Sequence, residues 1–322
     1  MNLKNISEPI HDELEIFQKR FSNALKSKVA LIDLITKYIL RQKGKKIRPI
    51  LVLLSAKVSG DINERTYIAA NLVELLHTAT LIHDDVVDEA KTRRGIASIN
   101  AVWKNKAAVL IGDFLLSKGL LISLENKEFD FLLTTSEAVR RMSEGELLQI
   151  QKARNFDATE ETYFKVISDK TASLIKTCCK LGALSTTEKK DKIENLAEFG
   201  EDLGIAFQLR DDLLDYMGRK KLLGKSTGND LKEKKFTLPL IISLKNSPSR
   251  KANEIMKLIK SDSRKKFEPV FQFVNEYGGL DYTQDKILYY ADKAKSSIKN
   301  FPDSEAKSSL LELVRFISIR EY

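Results

Sequence analysis

Along most of this chain apolar residues recur every three or four positions, with polar residues between them. Residues 67–90 show the pattern in Ile68, Leu72, Leu75, Leu76, Ala79 and Ile82, and residues 190–217 repeat it in Ile193, Leu196, Phe199, Leu203, Phe207 and Leu214. Strand-like alternation and Asn-Gly or Asp-Gly hairpin signals are absent. The chain has six prolines, and none lies between 50 and 238, so a very long stretch lacks the strongest helix breaker. Helix breaks are predicted at Gly60-Asp61, around Asn126-Lys127-Glu128, at Asn155–Thr159, around Thr186–Lys190 and at Leu223–Asn229. They delimit helices of roughly 20 to 28 residues joined by short connections. Past residue 230 the predicted helices are shorter, with Pro239, Pro248, Pro269 and Pro302 near their starts. No composition shift marks a linker, so residues 1–322 read as one all-α bundle of antiparallel helices.

Composition narrows the class. An apolar content of 43% supplies a continuous core. The two cysteines, Cys178 and Cys179, are adjacent, which suits neither a redox motif nor zinc, and points to a reducing, cytoplasmic setting. The first residues carry acids and lack an apolar run of signal-peptide length. Residues 107–124 are the most hydrophobic, but Asp113 and Lys118 interrupt them, so a buried helix is expected there rather than a membrane span. The net charge of +9 is spread among acids with no nucleic-acid-binding signature, so no nucleic-acid partner is expected.

Chemistry concentrates in two places. In LIHDDVVDEAKTRRG (81–95) three aspartates sit inside an apolar stretch, followed at once by Arg93 and Arg94. In FQLRDDLLDY (207–216) the spacing returns: Asp84, Asp85 and Asp88 become Asp211, Asp212 and Asp215. Residues four apart share a helix face, where like charges are destabilising unless something positive compensates. Clustered hard oxygens favour Mg²⁺, which keeps waters and takes one or two carboxylates plus phosphate oxygens. Two such faces opposed across a bundle would hold magnesium and, beside it, a diphosphate, with Arg93 and Arg94 on its oxygens. One such motif alone is weak evidence; two in matching apolar contexts are far more specific.

With these motifs the chain resembles the trans-type polyprenyl diphosphate synthases over nearly its whole length. The matching elements are GKKIRP (44–49), HTATLIHDDVVDEAKTRRG (77–95), GDFLL (112–116), GE (145–146), KTA (170–172), FQLRDDLLDY (207–216) and GKSTGNDLKEKKFTLPL (224–240), in family order. The resemblance implies an all-α fold around a central cavity, usually a homodimer. It also implies head-to-tail condensation of isopentenyl diphosphate onto an allylic diphosphate, with Mg²⁺ held by Asp84, Asp85 and Asp88 and by Asp211, Asp212 and Asp215. Lys45, Arg48, His77 and Arg94 match the isopentenyl diphosphate pocket, and Arg93 an allylic diphosphate contact. Lys170, Gln208, Lys225 and Lys235 match groups around the allylic diphosphate, Thr171 lies near the reacting carbons, and Arg320 loosely matches a basic residue near the family's C-terminus. His83 is expected to be structural, Lys46 to face solvent, and Gly44 and Gly224 to let backbone approach phosphate or turn. Where the family commonly has a double glycine, Lys43-Gly44 stands here; the usual EGK reads Lys234-Lys235; and Gly218-Arg219-Lys220 replaces acids after the second motif.

Product length turns on Ala79 and Thr80. Ala79 lies five residues before Asp84, about 7 Å below it along a helix. A Phe or Tyr there would floor an apolar tunnel, whereas these small side chains leave it open; helix packing is the other reading of Ala79. HTATLIHDDVVDE resembles the long-chain, octaprenyl-type subgroup, whose products serve as quinone side chains, so a C40 product is favoured over a farnesyl or geranylgeranyl one. Transient membrane contact during product release stays open. A terpene cyclase would not need GKKIRP or a second full aspartate motif, and a non-catalytic partner subunit tends to have lost one. A basic module on RNA or membrane has only the charge in its favour.

Overall fold

The computed structural model describes residues 3–41, 44–93, 95–155, 158–217, 231, 235–261 and 267–319. Fifteen helices appear among them in this order: α1 (Leu3–Ile6), α2 (His11–Ala24), α3 (Ala30–Arg41), α4 (Ile47–Ser59), α5 (Glu64–Val87), α6 (Ile99–Glu125), α7 (Phe129–Asn155), α8 (Glu160–Ile167), α9 (Ser173–Leu184), α10 (Lys190–Met217), α11 (Leu238–Asn246), α12 (Ser249–Lys260), α13 (Phe267–Glu276), α14 (Gly279–Ser297) and α15 (Glu305–Ile319). The fold is all-α. The predicted breaks at 60–61, 126–128, 155–159 and 186–190 fall between helices as expected, and the fifth, 223–229, lies outside the described residues.

Two details were not predicted. A two-stranded antiparallel hairpin pairs Thr92 with Ala97 and Arg93 with Ile96. It needs no alternating pattern because each strand has two residues, and Gly95 takes the positive φ of +81° that its turn requires. The segment 160–184, read as one helix, is interrupted at Ser168–Ala172 by a π-helical turn.

The chain divides into two compact units. The first comprises Met1–Glu137, Thr177–Ala197 and Asn300–Leu310. Its α4 is apolar all round, and Pro49 through Leu54 are all buried, as befits a core helix. Helix α5 begins at a capping box, in which the Asn63 side chain accepts from backbone N–H groups of the first turn and Thr66 returns a bond to the Asn63 N–H. Helix α6 packs along α5. Of its most apolar window only 33% is buried, and Val109, Leu110, Leu120, Leu121 and Leu124 are exposed. The expectation of a buried helix is therefore corrected: one face is buried, the other bare, and aliphatic residues on both leave the sequence no sign of which face packs. The same helix is long and apolar enough to cross a membrane.

The second unit comprises Ala138–Lys176, Glu198–Lys299 and Leu311–Tyr322. Tyr163, Ile167, Ala172, Leu209, Leu213, Leu238 and Ile287 form one buried cluster, and Tyr216, Leu240, Ile259, Val270 and Phe273 a second. Thr159 caps α8 through the Thr162 N–H (3.2 Å), and Pro239 stands in the first turn of α11, where its missing N–H costs nothing.

Candidate active site

In the first unit, Asp84 and Asp85 lie in the last turn of α5 and Asp88 is its C-cap, its N–H bonded to the Asp84 carbonyl at 2.8 Å. Asp84 is half-buried, Asp88 exposed and Asp85 buried at 2% exposure. Arg93, carried on the hairpin, donates Nε to Asp85 Oδ1 at 2.6 Å, and Asn100 of α6 holds the Asp85 backbone carbonyl at 3.0 Å. Burial raises the Asp85 carboxyl above its ordinary value, against the opposing pull of Arg93.

A cavity of about 270 Å³ opens beside this pair, lined by Phe17, Phe21, Gly44, Lys46, His77, Asp85 and Arg93 among others. Arg93 thus shares a cavity with His77 and Gly44. Lys46 is exposed, as predicted, yet it also lines the cavity, and burial lowers its pKa. Lys45 is exposed and Arg48 half-buried at the start of α4, the Arg48 charge acting on Cys178. His83 approaches the Val109 carbonyl (3.3 Å) and Asp113 (3.5 Å) of α6, a packing role as expected. Arg94 lies outside the described residues.

Ala79 is fully buried and shares its face of α5 with Leu72 and His83. A Cβ on Gly119 of α6 would lie 3.2 Å from Leu72, and one on Gly112 would lie 2.2 Å from the His83 ring, so this face is the one that α6 approaches. Thr80 is half-buried and donates to the His77 carbonyl at 2.9 Å.

In the second unit, α10 carries Asp211, Asp212 and Asp215. Asp211 and Asp215 are half-buried, and Asp212 is buried. Both oxygens of Asp212 accept hydrogen bonds: Oδ2 from the Tyr163 hydroxyl at 2.6 Å, Oδ1 from Gln208 Nε2 at 2.7 Å. Gln208 in turn accepts from Thr171 at 2.8 Å, making a chain Thr171–Gln208–Asp212–Tyr163. Lys170 pairs with Glu146 and donates to Gln149 at 2.9 Å. A cavity of about 130 Å³ is lined by Gln149, Tyr163, Lys170, Thr171, Gln208, Asp212 and Lys235, with apolar Val166 and Ile167. The sequence reading missed Tyr163, Gln149 and Asn100, which lie outside the motifs. Lys225, Gly224 and Arg320 lie outside the described residues.

The two motifs share one arrangement. The middle aspartate of each is buried and held by protein donors, while the outer two lie toward the surface. Among the described residues no three His, Cys, Asp or Glu side chains are gathered as a metal would gather them. Asp84 with Asp88, and Asp211 with Asp215, still fit a hexahydrate-loving cation that takes one or two carboxylates and completes its shell with water and phosphate.

Residues 29–275 match the polyprenyl synthetase family. This chain belongs to that family. It is 36% identical over 322 residues to the octaprenyl diphosphate synthase of Escherichia coli K12, covering all of both chains. A polyprenyl synthase of Caulobacter crescentus CB15, solved with calcium and isoprenyl diphosphate, superposes with a TM-score of 0.91 at 31% identity, covering 100% of this chain and 98% of that one. The decaprenyl diphosphate synthase of Rhodobacter capsulatus gives 0.94 at 29% identity, with full coverage of both. Membership makes the chain a prenyltransferase of the trans type, in a family whose substrates are isopentenyl diphosphate and an allylic diphosphate.

Proposed function

We propose that this chain is a Mg²⁺-dependent, long-chain all-trans polyprenyl diphosphate synthase, with a C40 product favoured and quinone side chains as its use. The observation that carries the long-chain reading is the pair of small side chains, Ala79 and Thr80, just before Asp84 on α5, where a ring would obstruct a growing chain. The full-length likeness to an octaprenyl synthase supports it. A shorter product is the second reading, favoured by the position of Ala79 on the face that α6 approaches. Incubating the protein with Mg²⁺, farnesyl diphosphate and isopentenyl diphosphate and weighing the products separates the two: C40 supports the first, C20 the second.

Lys45, Arg48, His77 and Arg94 are assigned to isopentenyl diphosphate, and Arg93 to the allylic diphosphate. Lys170, Lys225, Gln208 and Lys235 are assigned to the allylic diphosphate, with Thr171 near the reacting carbons. Asp84, Asp85, Asp88, Asp211, Asp212 and Asp215 are the proposed Mg²⁺ ligands, Asp85 and Asp212 being the buried members of their motifs. When bound, Mg²⁺ supplies Lewis-acid stabilisation of the departing diphosphate. The lysines and arginines bind the same oxygens and spread the charge that develops as the C–O bond breaks. The double bond of isopentenyl diphosphate then attacks the allylic carbon, and the proton lost leaves to the departing diphosphate, so no side-chain base is required.

The chain is further proposed to act as one 1–322 synthase domain, as a cytoplasmic homodimer, with transient membrane contact during product release. The bare face of α6 supports the dimer, since exposed leucines in a row are a contact surface in search of a partner. Light scattering in solution checks it: twice the 36.6 kDa chain mass is expected, and a Leu120→Glu/Leu121→Glu variant should lose the dimer.

A further inference from the structure

The π-helical turn at Ser168–Ala172 carries Lys170 and Thr171, two of the groups proposed to meet the allylic diphosphate. Its Ser173 N–H bonds to the Ser168 carbonyl five residues back, and the Ser173 hydroxyl donates to the Asp169 carbonyl at 2.5 Å. Such turns are rare and short, because their wide ring packs its own backbone poorly. Something outside the turn must hold it.

The structure shows what does. Arg141 of α7 donates Nε to Asp169 at 2.8 Å, and Nη2 to the Ser168 hydroxyl at 2.9 Å and to Glu201 of α10 at 3.1 Å. Ser168 donates to the same Glu201 oxygen at 3.0 Å, Lys176 closes on the other at 2.6 Å, and Lys165 takes the second oxygen of Asp169 at 3.0 Å. Burial pushes Glu201 up, but Lys176, Arg141 and Ser168 outweigh it and hold the carboxylate below its ordinary range. Close backbone approach completes the grip. A Cβ on Gly145, one turn along α7 from Arg141, would lie 2.9 Å from the Lys170 nitrogen, and one on Gly204 of α10 would lie 2.6 Å from the Ala172 Cα. One turn further along α7, Gln149 meets the Lys170 ammonium at 2.9 Å.

We infer that Arg141, through Asp169 and Glu201, is a positioning residue for the allylic half of the reaction. It fixes the π-helical turn so that Asp169 points away from the cavity while Lys170 and Thr171 line it. The guanidinium suits this task because one rigid fork reaches three partners on two elements, where an ammonium is a point charge. The inference rests on the reading of Lys170 and Thr171 as groups at the allylic diphosphate.

The test is steady-state kinetics with each substrate varied in turn, on Arg141→Ala, Arg141→Lys, Asp169→Asn, Lys170→Ala and the Arg141→Ala/Lys170→Ala double variant, each with its thermal midpoint. Arg141→Ala is expected to lower kcat/KM for the allylic diphosphate by about 10- to 100-fold, with KM for isopentenyl diphosphate within about twofold. Arg141→Lys should recover part of the loss, and the double variant should be no worse than Lys170→Ala, since the two act through one group. Asp169→Asn, which keeps the shape and loses the charge, should reproduce the selective defect even if Arg141→Ala does not fold. Equal loss for both substrates, unchanged allylic kinetics in a folded Arg141→Ala enzyme, or losses that multiply in the double variant would each overturn the inference. Unchanged allylic kinetics in Lys170→Ala would instead sink the reading of the site, and this inference with it.

Discussion

The two aspartate motifs have the same spacing and the same buried middle position, yet the groups that hold that middle residue differ. In the first unit Asp85 is met by a cation, Arg93, at 2.6 Å. In the second, Asp212 accepts from the Tyr163 hydroxyl and from the Gln208 amide. A guanidinium offsets the charge of the carboxylate it holds, whereas a phenol and an amide fix a carboxylate in place without offsetting its charge. Identical motifs are therefore not held identically: a cation is among the partners of Asp85, a phenol and an amide among those of Asp212.

That contrast is open to attack, starting with the outer aspartates. Asp84→Ala and Asp211→Ala should each lower kcat by about 10³-fold or more, the loss expected when a metal ligand goes; near-normal turnover in either would reject its assignment. Next come the partners of the middle residues. Arg93→Ala leaves Asp85 buried without its cation and should cost about 3 kcal/mol of stability at neutral pH. Tyr163→Phe leaves Asp212 its Gln208 bond and should cost only about 1 kcal/mol. Urea midpoints measure both, and equal losses would erase the distinction drawn here. Third, Ala79→Tyr should shorten the product while sparing turnover, read by mass spectrometry. If product length holds and the thermal midpoint falls instead, Ala79 belongs to the α5–α6 packing rather than the tunnel.

A last effect, in the first unit's interior, shows itself only at alkaline pH. Burial pushes the Cys179 thiol up to about 12 and Cys178 well above the ordinary thiol value of 9.0. Both folded thiols therefore hold protons that the unfolded chain loses above about pH 9. Their contribution to stability is complete below that pH and declines as pH rises toward 12, by about 1.4 kcal/mol per pH unit for each thiol. Denaturant melts between pH 8 and 11 check the slope, and iodoacetamide at pH 8 should label neither cysteine until the chain unfolds.

Much of this was legible in the residues. The 3.6-residue periodicity and the absence of proline from 50 to 238 gave the long helices, and the doubled aspartate spacing marked both cavities. What escaped was set by tertiary contact. SDKTASL contains neither Gly nor Pro, so nothing local announces the π-helical turn; it is imposed by Arg141, Gly145 and Gly204 from other helices. Tyr163 was invisible as a partner of Asp212 because 49 residues separate them. The bare face of α6 was hidden for the opposite reason: aliphatic residues stand on both of its faces, and only the packing shows which face is covered.

The capping box at Asn63 has one further consequence. It pins the start of α5, and from that origin a rigid rod of about 1.5 Å per residue carries Asp84 and Asp85 to the far end of the helix, where Asp85 lines the cavity. Inserting or deleting a single residue anywhere along the rod would swing both carboxylates through about 100°, together with every side chain between the change and the motif. Length between Asn63 and Asp84 is thus under constraint in its own right, beside the identities of His77, Ala79 and Thr80.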